Sequence, residues 1–454
     1  MPATKSHGRV SPARACALRV IRRVFEQGAY ADRAFAAEAA GLEPRDRALA
    51  MALAYGTVQR RATLDHVAAQ LTDRPLERLD APVLAVLRLG LFELLFMGGA
   101  AEHAAVNESV ELVKRERPQA AGFANAVLRR ASREAPGILE GLDDESPESA
   151  AVLHSVPGWL ASQWWRELGA EEARGLLRVV NEPAESALRV NTLVATPSKV
   201  AAGLPVPSRP AAGLPETGPA TALPETAPLP ETTPPTALPE GLVLDGPFDV
   251  EGSEQWASGA VQPQSRASML VSRILGPRPG ERVLDLCAAP GAKTTHLAAL
   301  MEDTGEVVAV ERHPGRAAAL ERTVARMRTS CVRVQGGDAA VPRADGPFDR
   351  ILVDPPCSGL GTLQSRPDLR WRRQSVSIPE LAALQARILA AAARALAPGG
   401  ALVYSVCTIS RAESEDVVDE FLRSHAGFTA ERRLQLLPHR DGTDGFYIAR
   451  LRRG

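Results

Sequence analysis

Cysteine is scarce in this 454-residue chain. Cys16, Cys287, Cys331, Cys357 and Cys407 form no CxxC pair and have no histidines at ligand spacing, so neither a zinc ribbon nor a disulfide framework underlies the fold, and no metal is expected. Aromatic residues make up only 4% of the chain, and lysine is rarer still, with four Lys against 49 Arg. Charge of one sign is missing too: 53 basic and 54 acidic residues leave a net charge of -1, which excludes a wholly basic nucleic-acid binder. The longest apolar run, "APVLAVLRLGLFELLFM" at residues 81–97, is interrupted by Arg88 and Glu93. It is too short for a comfortable membrane span and reads as a buried helix. No basic start leads into an apolar signal core at Met1, so a cytoplasmic protein with reduced thiols is expected, with no membrane partner.

What is present is enough apolar sequence, 45%, for two or three domains with real cores. Residues 1–140 carry apolar stripes at helical spacing, such as Ala17, Val20, Ile21, Val24 and Phe25, with Pro44, Pro75, Pro82 and Pro118 at helix starts or breaks. They predict an all-α bundle around the 81–97 helix, mildly cationic at 20 Lys plus Arg against 15 Asp plus Glu over residues 1–134. Residues 141–200 read as a connecting stretch of short helices ending in the strand-like "SALRVNTL", with Trp159, Trp164 and Trp165 grouped for packing. Residues 201–241 repeat Leu-Pro-Glu and read as a proline-stiffened low-complexity insertion. Its "LPETG" at Leu214–Gly218 matches a cell-wall sorting signal but is followed by no apolar tail and basic end; chance repetition explains it. From 242 to 454, short apolar runs ("RVLDL", "EVVAV", "CVRV", "RILVD", "ALVYSV", "FYIAR") alternate with helical stretches. The fold class is thus an all-α bundle joined to a Rossmann-like α/β domain with a mostly parallel, seven-stranded sheet.

Ligands of such sheets bind beyond the carboxyl ends of the strands. The first strand runs into "CAAPGAKTTHLAAL", where Cys287, Ala288, Ala289, Pro290, Gly291, Ala292 and Lys293 form a turn entering a helix. A P-loop needs GxxxxGK[ST], but Ala292 precedes Lys293; a dinucleotide site needs GxGxxG, but one glycine is present. Glu311 ends the second strand, where an acid can accept from ribose hydroxyls, and Asp338 follows the third. Taken singly, Glu311 reads equally as a surface acid and Asp338 as a helix cap. In this order, with no pyrophosphate cradle, they fit a nucleoside without phosphate, and S-adenosylmethionine is the candidate.

Asp354 and Cys357 follow the fourth strand and Cys407 the fifth, which delivers two thiols to one sheet edge. A lone cysteine is usually a small buried hydrophobe; two beside a cofactor crevice suit methylation of a pyrimidine at C5. A thiolate adds to C6 and makes C5 nucleophilic. After transfer a base removes the C5 proton so that sulfur is expelled. Asp354, held by Pro355-Pro356, is placed to protonate or hydrogen-bond N3.

On "LDLCAAPGAKTTHLA", "DPPCSGLGTLQSRPDLRW" and "YSVCTI", the chain resembles the RNA cytosine-5 methyltransferases. On "LRLGLFELLFM", "HAAVNESVELVK" and "GFANAVLRR" it resembles their bacterial small-subunit ribosomal RNA branch, the Sun/Fmu group, which has a fused NusB-like RNA-binding domain. The resemblance implies Cys407 as nucleophile, Cys357 in product release, and Cys287–Lys293 with Glu311, Asp338 and Asp354 around the cofactor. It also implies a target of the cytosine 967 type in 16S rRNA, free or in an assembling small subunit; a monomer is expected. Ala292 departs from the usual second glycine of the loop and Val406 from the usual threonine. Arg366, Arg370, Arg372 and Arg373 in "SRPDLRWRR" read as phosphate contacts, or else as a solvated charged loop. A tRNA substrate and a non-catalytic RNA-binding scaffold are the rival readings.

Overall fold

The computed structural model describes residues 10–98, 102–214 and 237–454. The chain forms two units: the first runs to Glu182 and includes Leu363–Ser375, and the second comprises Pro183–Thr362 and Val376–Gly454.

The first unit is helical because its proline, serine and glycine punctuation cuts an apolar pattern into whole turns. Helix Pro12–Gln27 starts where the Ser11 side chain accepts from the Arg14 N–H and stops at left-handed Gly28. Pro44 and Pro82 lie in the first turns of Pro44–Gln59 and Ala81–Phe96, where a missing N–H costs nothing. Ala81–Phe96 is the central helix. Leu87, Leu89 and Leu91 are at most 1% exposed, each contributing about 2 kcal/mol of burial. The two charges that interrupt its apolar run are neutralised. Arg88 makes a two-pronged bond to Asp65 at 2.6 and 2.8 Å, and Glu93 pairs with Arg14. Gly56 lets the neighbouring helix approach, since a Cβ there would lie 1.9 Å from the Phe92 ring.

Helices Pro147–Leu153, Gly158–Leu168 and Ala170–Val179 belong to this same unit, so the division falls at Glu182 rather than near residue 140. Trp164 is fully buried, a packing role. Segment Leu363–Ser375, with its short helix Leu369–Arg372, completes the unit.

The second unit holds two sheets. Strands β1 (Ala187–Val190), β2 (Ser208–Pro210), β3 (Gly241–Leu244) and β4 (Val261–Pro263) make an antiparallel sheet in the order β2-β3-β1-β4. The 201–241 segment is therefore not an unfolded insertion throughout. Its flanks enter the small sheet, and Ala211, Leu214 and Leu238 are buried beside Met269 or Leu270, because these residues find apolar partners outside the segment. Residues 215–236, including most of "LPETG", lie outside the described residues.

The larger sheet contains β5 (Arg282–Leu286), β6 (Glu306–Glu311), β7 (Val332–Gly336), β8 (Phe348–Val353), β9 (Leu396–Val406), β10 (Phe428–Leu436) and β11 (Phe446–Arg453), ordered β10-β11-β9-β8-β5-β6-β7. Strands β5 to β9 are parallel to their neighbours; β11 is antiparallel to both β9 and β10. The order reverses between β5, which runs outward to β6 and β7, and β8, which continues to β9. This switch point opens a crevice at the strands' carboxyl ends. Among the described residues no helix is long and apolar enough to cross a membrane.

Candidate functional site

Every strand from β5 to β9 ends in a residue or loop singled out above. After β5 the chain turns sharply, with Cys287 at φ 64 and Gly291 at φ 106. The turn demands glycine at 291, because a Cβ there would meet Leu320 Cδ1 at 2.8 Å. Ala292 begins helix Ala292–Leu300 with ordinary helical backbone, which explains why alanine is tolerated in place of a second glycine. The Ala288 N–H donates to Val310 O at 3.0 Å, anchoring the loop to β6. Burial, reinforced by Asp354 and Asp285, pushes the Cys287 thiol up to about 12, so it is a protonated wall rather than a nucleophile.

Glu311, at the end of β6, is 4% exposed. One carboxylate oxygen accepts from the His313 N–H at 2.9 Å, and the other lies 3.3 Å from Arg316 Nε. Arg316 also donates to Ala289 O at 2.8 Å, clamping the loop against the acid. Asp338, beyond β7, is exposed, accepts from the Ala340 N–H at 3.0 Å and lies 3.6 Å from Arg312. Three cations beside the loop face carboxylates: Lys293 faces Asp354, Arg316 faces Glu311 and Arg312 faces Asp338; a fourth, the buried Arg189, donates to Gln264 Oε1, Thr295 Oγ1 and Ala292 O. That leaves the loop poorly suited to phosphate, and its acids well suited to the hydroxyl and amino donors of a nucleoside. The residues fit S-adenosylmethionine.

The parallel pairing of β8 with β9 sets Val353 opposite Tyr404 and brings the two following cysteines together. Cys357 Sγ and Cys407 Sγ are 3.3 Å apart. Their hydrogen bond, then burial, lifts the Cys357 thiol well above its ordinary value. Asp354 is fixed at both oxygens, accepting from Lys293 Nζ at 2.8 Å and Ser405 Oγ at 3.0 Å. Burial opposes the charge on Lys293, but Asp354 outweighs it, with a further contribution from Cys407, and the ammonium titrates above its ordinary value. A cation thus stands beside the thiol proposed as nucleophile. Val406 packs with Tyr404 and Tyr447 in the core, so its side chain belongs to packing on the sheet face opposite Ser405.

The arginine reading needs correction. Arg370 is wholly buried. Its guanidinium donates to the carbonyls of Ser155, Val180 and Leu363 at 3.0–3.2 Å and to Asn181 Oδ1 at 2.8 Å, all within the first unit. At this depth it is out of reach of a phosphate on the surface. Arg372 donates to Gly28 O and stands 3.9 Å over the Tyr30 ring, and Arg373 is half-buried. Arg366 is exposed.

Several site residues are not singled out by the sequence reading, although Asp285 lies within "LDLCAAPGAKTTHLA" and Tyr404 within "YSVCTI". Asp285, on β5, is buried and accepts from Thr294 Oγ1 at 2.6 Å; burial lifts its carboxyl to about 7. Arg189, in the "RVN" of β1, donates to Thr295 Oγ1 at 2.8 Å and Ala292 O at 3.3 Å, supporting the start of the loop's helix. Glu413, Gln385 and Tyr404 form a buried polar cluster behind the two cysteines. Asp285 in "RVLDL" and Gln385 in "LAALQARILA" carry one advance signal, a polar residue inside an apolar run; Glu413, in "RAESED", carries none.

Comparison with known proteins agrees in both units. Residues 272–452 match a family described as 16S rRNA methyltransferase RsmB/F, and residues 11–133 match the NusB family. The chain is 34% identical over 463 residues to "Probable ribosomal RNA small subunit methyltransferase B" of Synechocystis sp., covering 97% of this chain and 99% of the relative. It is 35% identical to "Ribosomal RNA small subunit methyltransferase B" of Thermus thermophilus, covering 90% and 89% respectively. Among solved structures, one described as "Crystal Structure of PH0851" superposes with a TM-score of 0.77 at 26% identity, covering 98% of this chain and 99% of its own.

Proposed function

This chain belongs to the 16S rRNA methyltransferase RsmB/F family of S-adenosylmethionine-dependent RNA cytosine-5 methyltransferases, and from that premise we propose that it methylates C5 of a cytosine in 16S rRNA, of the cytosine 967 type, through a covalent bond between Cys407 and C6. The observation that carries the reading is the 3.3 Å pair of thiols beside a Lys293–Asp354 ion pair.

Lys293 stabilises a thiolate at Cys407, and the Cys357 S–H donates to it. The Cys407 sulfur adds to C6 while Asp354 holds the N3 edge of the ring, and C5 gains electron density. Bound S-adenosylmethionine supplies an electrophilic methyl group. Once the Cys407 sulfur is bonded to carbon, the thiolate that kept Cys357 protonated is gone. Cys357 can then release its proton to solvent and accept the C5 proton as the C6–S bond breaks. The electron pair returns to Cys407, and the renewed Cys357 S–H again donates to it. One proton is released per turnover, as methyl transfer from a sulfonium requires.

The helical unit, residues 1–140 in particular, is assigned to RNA docking, and Arg366 is kept as a phosphate contact. A cytosine within a duplex must be flipped out to reach the thiols. The enzyme acts as a cytoplasmic monomer in this reading.

The test offers purified protein 16S rRNA, assembling small subunits and tRNA with labelled S-adenosylmethionine, and maps the product by bisulfite sequencing. Transfer to a 16S rRNA cytosine is expected. Exclusive transfer to tRNA would move the substrate, and no transfer to any RNA would favour a scaffold. Cys407→Ser should lower turnover by at least about 10³-fold, whereas Cys357→Ser should accumulate protein covalently bound to RNA on denaturing gels. Equal trapping by Cys357→Ser and wild type would overturn the division of roles.

A further inference from the structure

Behind the thiols lies a carboxylate that the reaction itself does not use. Glu413 is 0% exposed. Its Oε1 accepts from the Ser358 N–H at 2.8 Å and from Gln385 Nε2 at 3.1 Å, and its Oε2 lies 3.4 Å from Thr408 Oγ1. Ser358 directly follows Cys357, and Thr408 directly follows Cys407. The hydroxyls of these two residues are themselves 2.7 Å apart. Gln385, on helix Ser377–Ala395, donates as well to Pro356 O at 3.0 Å, the residue before Cys357. Tyr404, three residues before Cys407 on β9, shares its hydroxyl proton between Gln385 Oε1 at 3.1 Å and Glu413 O at 2.7 Å. One buried side chain therefore ties the backbone of one cysteine loop to the side chain of the other.

We propose that Glu413 is a positioning residue that fixes the separation of the two thiols, and that it serves the second half of the reaction more than the first. The inference rests on the assignment of Cys407 as nucleophile and Cys357 as base. Bond formation at C6 needs only Cys407 in place. Resolution needs both sulfurs registered on adjacent ring carbons at once, so a loosened pair slows the second step selectively. Buried polar clusters of this kind hold geometry only while every member is satisfied. Removing the carboxylate strands the Ser358 N–H and the Gln385 amide. Glutamine at 413 can still accept from both and donate to Thr408.

The experiment compares Glu413→Ala, Glu413→Gln, Tyr404→Phe and Cys357→Ser in the full chain. It measures kcat, KM for S-adenosylmethionine, melting temperature and the fraction of protein trapped on RNA. Glu413→Ala is expected to lose at least about 10-fold in kcat, with KM for the cofactor within about 3-fold, and to trap more RNA than wild type. Glu413→Gln should restore kcat to within about 3-fold of wild type. Tyr404→Phe, which deletes one hydroxyl, should shift the trapped fraction in the same direction by less, and decides the matter if Glu413→Ala does not fold. Trapping by Cys357→Ser but not above wild type by either Glu413→Ala or Tyr404→Phe would overturn the role of Glu413 alone. So would loss of cofactor binding in parallel with kcat, or a glutamine variant as impaired as alanine. No trapping by Cys357→Ser would overturn the underlying assignment of the thiols.

Discussion

Lys293 and Arg370 are both buried cations, one in each unit, and their surroundings give them opposite uses. Arg370 sits among carbonyl oxygens of Ser155, Val180 and Leu363 and the amide of Asn181. Burial lowers its pKa to about 9. Its acceptors are neutral, so it ties together chain segments far apart in sequence. Lys293 faces the Asp354 carboxylate, and a thiol lies in its field. In the proposed reaction Cys407 changes charge within that field, which would give Lys293 a part in the chemistry. A buried cation is thus read from what it faces rather than from its density along the chain, and the arginine-rich "SRPDLRWRR" misleads for that reason.

Replacing each cation separates the two uses. Lys293→Met should cost about 10²–10³-fold in methyl transfer, with the melting temperature shifted by only a few degrees; rapid-quench turnover and thermal unfolding check both halves. Arg370→Met should do the reverse. It strands several buried carbonyls, and a loss of about 3–5 kcal/mol in the first unit is expected from urea unfolding. Arg366→Ala, at an exposed position, should leave stability unchanged and flatten the salt dependence of RNA binding by about one. If Arg370→Met flattened that slope without loss of stability, the buried assignment would fail.

The smallest effect concerns an acid rather than a cation. Burial raises Asp285 to about 7 in the folded chain, against about 3.9 unfolded. The folded state therefore holds the proton more tightly between those values, so this group's contribution to stability is complete below about pH 4 and is lost as pH rises through 7. Asp285→Asn removes that dependence. It should raise the melting temperature relative to wild type at pH 8, by less at pH 5, and give little or no gain at pH 4, as paired thermal scans would show.

Much of this was legible beforehand. The runs that became β5, β6, β8 and β9 stand out because parallel strands buried on both faces are almost continuously apolar; antiparallel β11 is also largely buried, and β7 at the sheet edge is only half-buried. Strand β10 was not among those runs; "FTAERRLQL", at the sheet edge, buries only two of its nine residues and carries no such signal. Cys357 and Cys407 could be placed together because the strands before them were readable and adjacent parallel strands end on the same side. The partners of Arg370 could not be: Ser155 and Asn181 lie 215 and 189 residues away in the chain, and no local pattern encodes that distance. Glu413 escaped for a related reason, since a buried acid and a surface acid look alike in one sequence. The leucines Leu214 and Leu238 were misjudged because composition was averaged over the whole of residues 201–241, whereas they have apolar partners outside that segment.

The return of Leu363–Ser375 to the first unit bears on how the protein is made. A ribosome delivers residues 183–362 before it delivers Arg370 and Trp371, whose indole N–H donates to Val58 O at 2.6 Å. The helical unit must therefore wait, incomplete, through the synthesis of most of the methyl-transfer unit before its last piece emerges. A truncated product ending at Glu182 would lack that piece, and cutting between the units at a single point would separate neither cleanly.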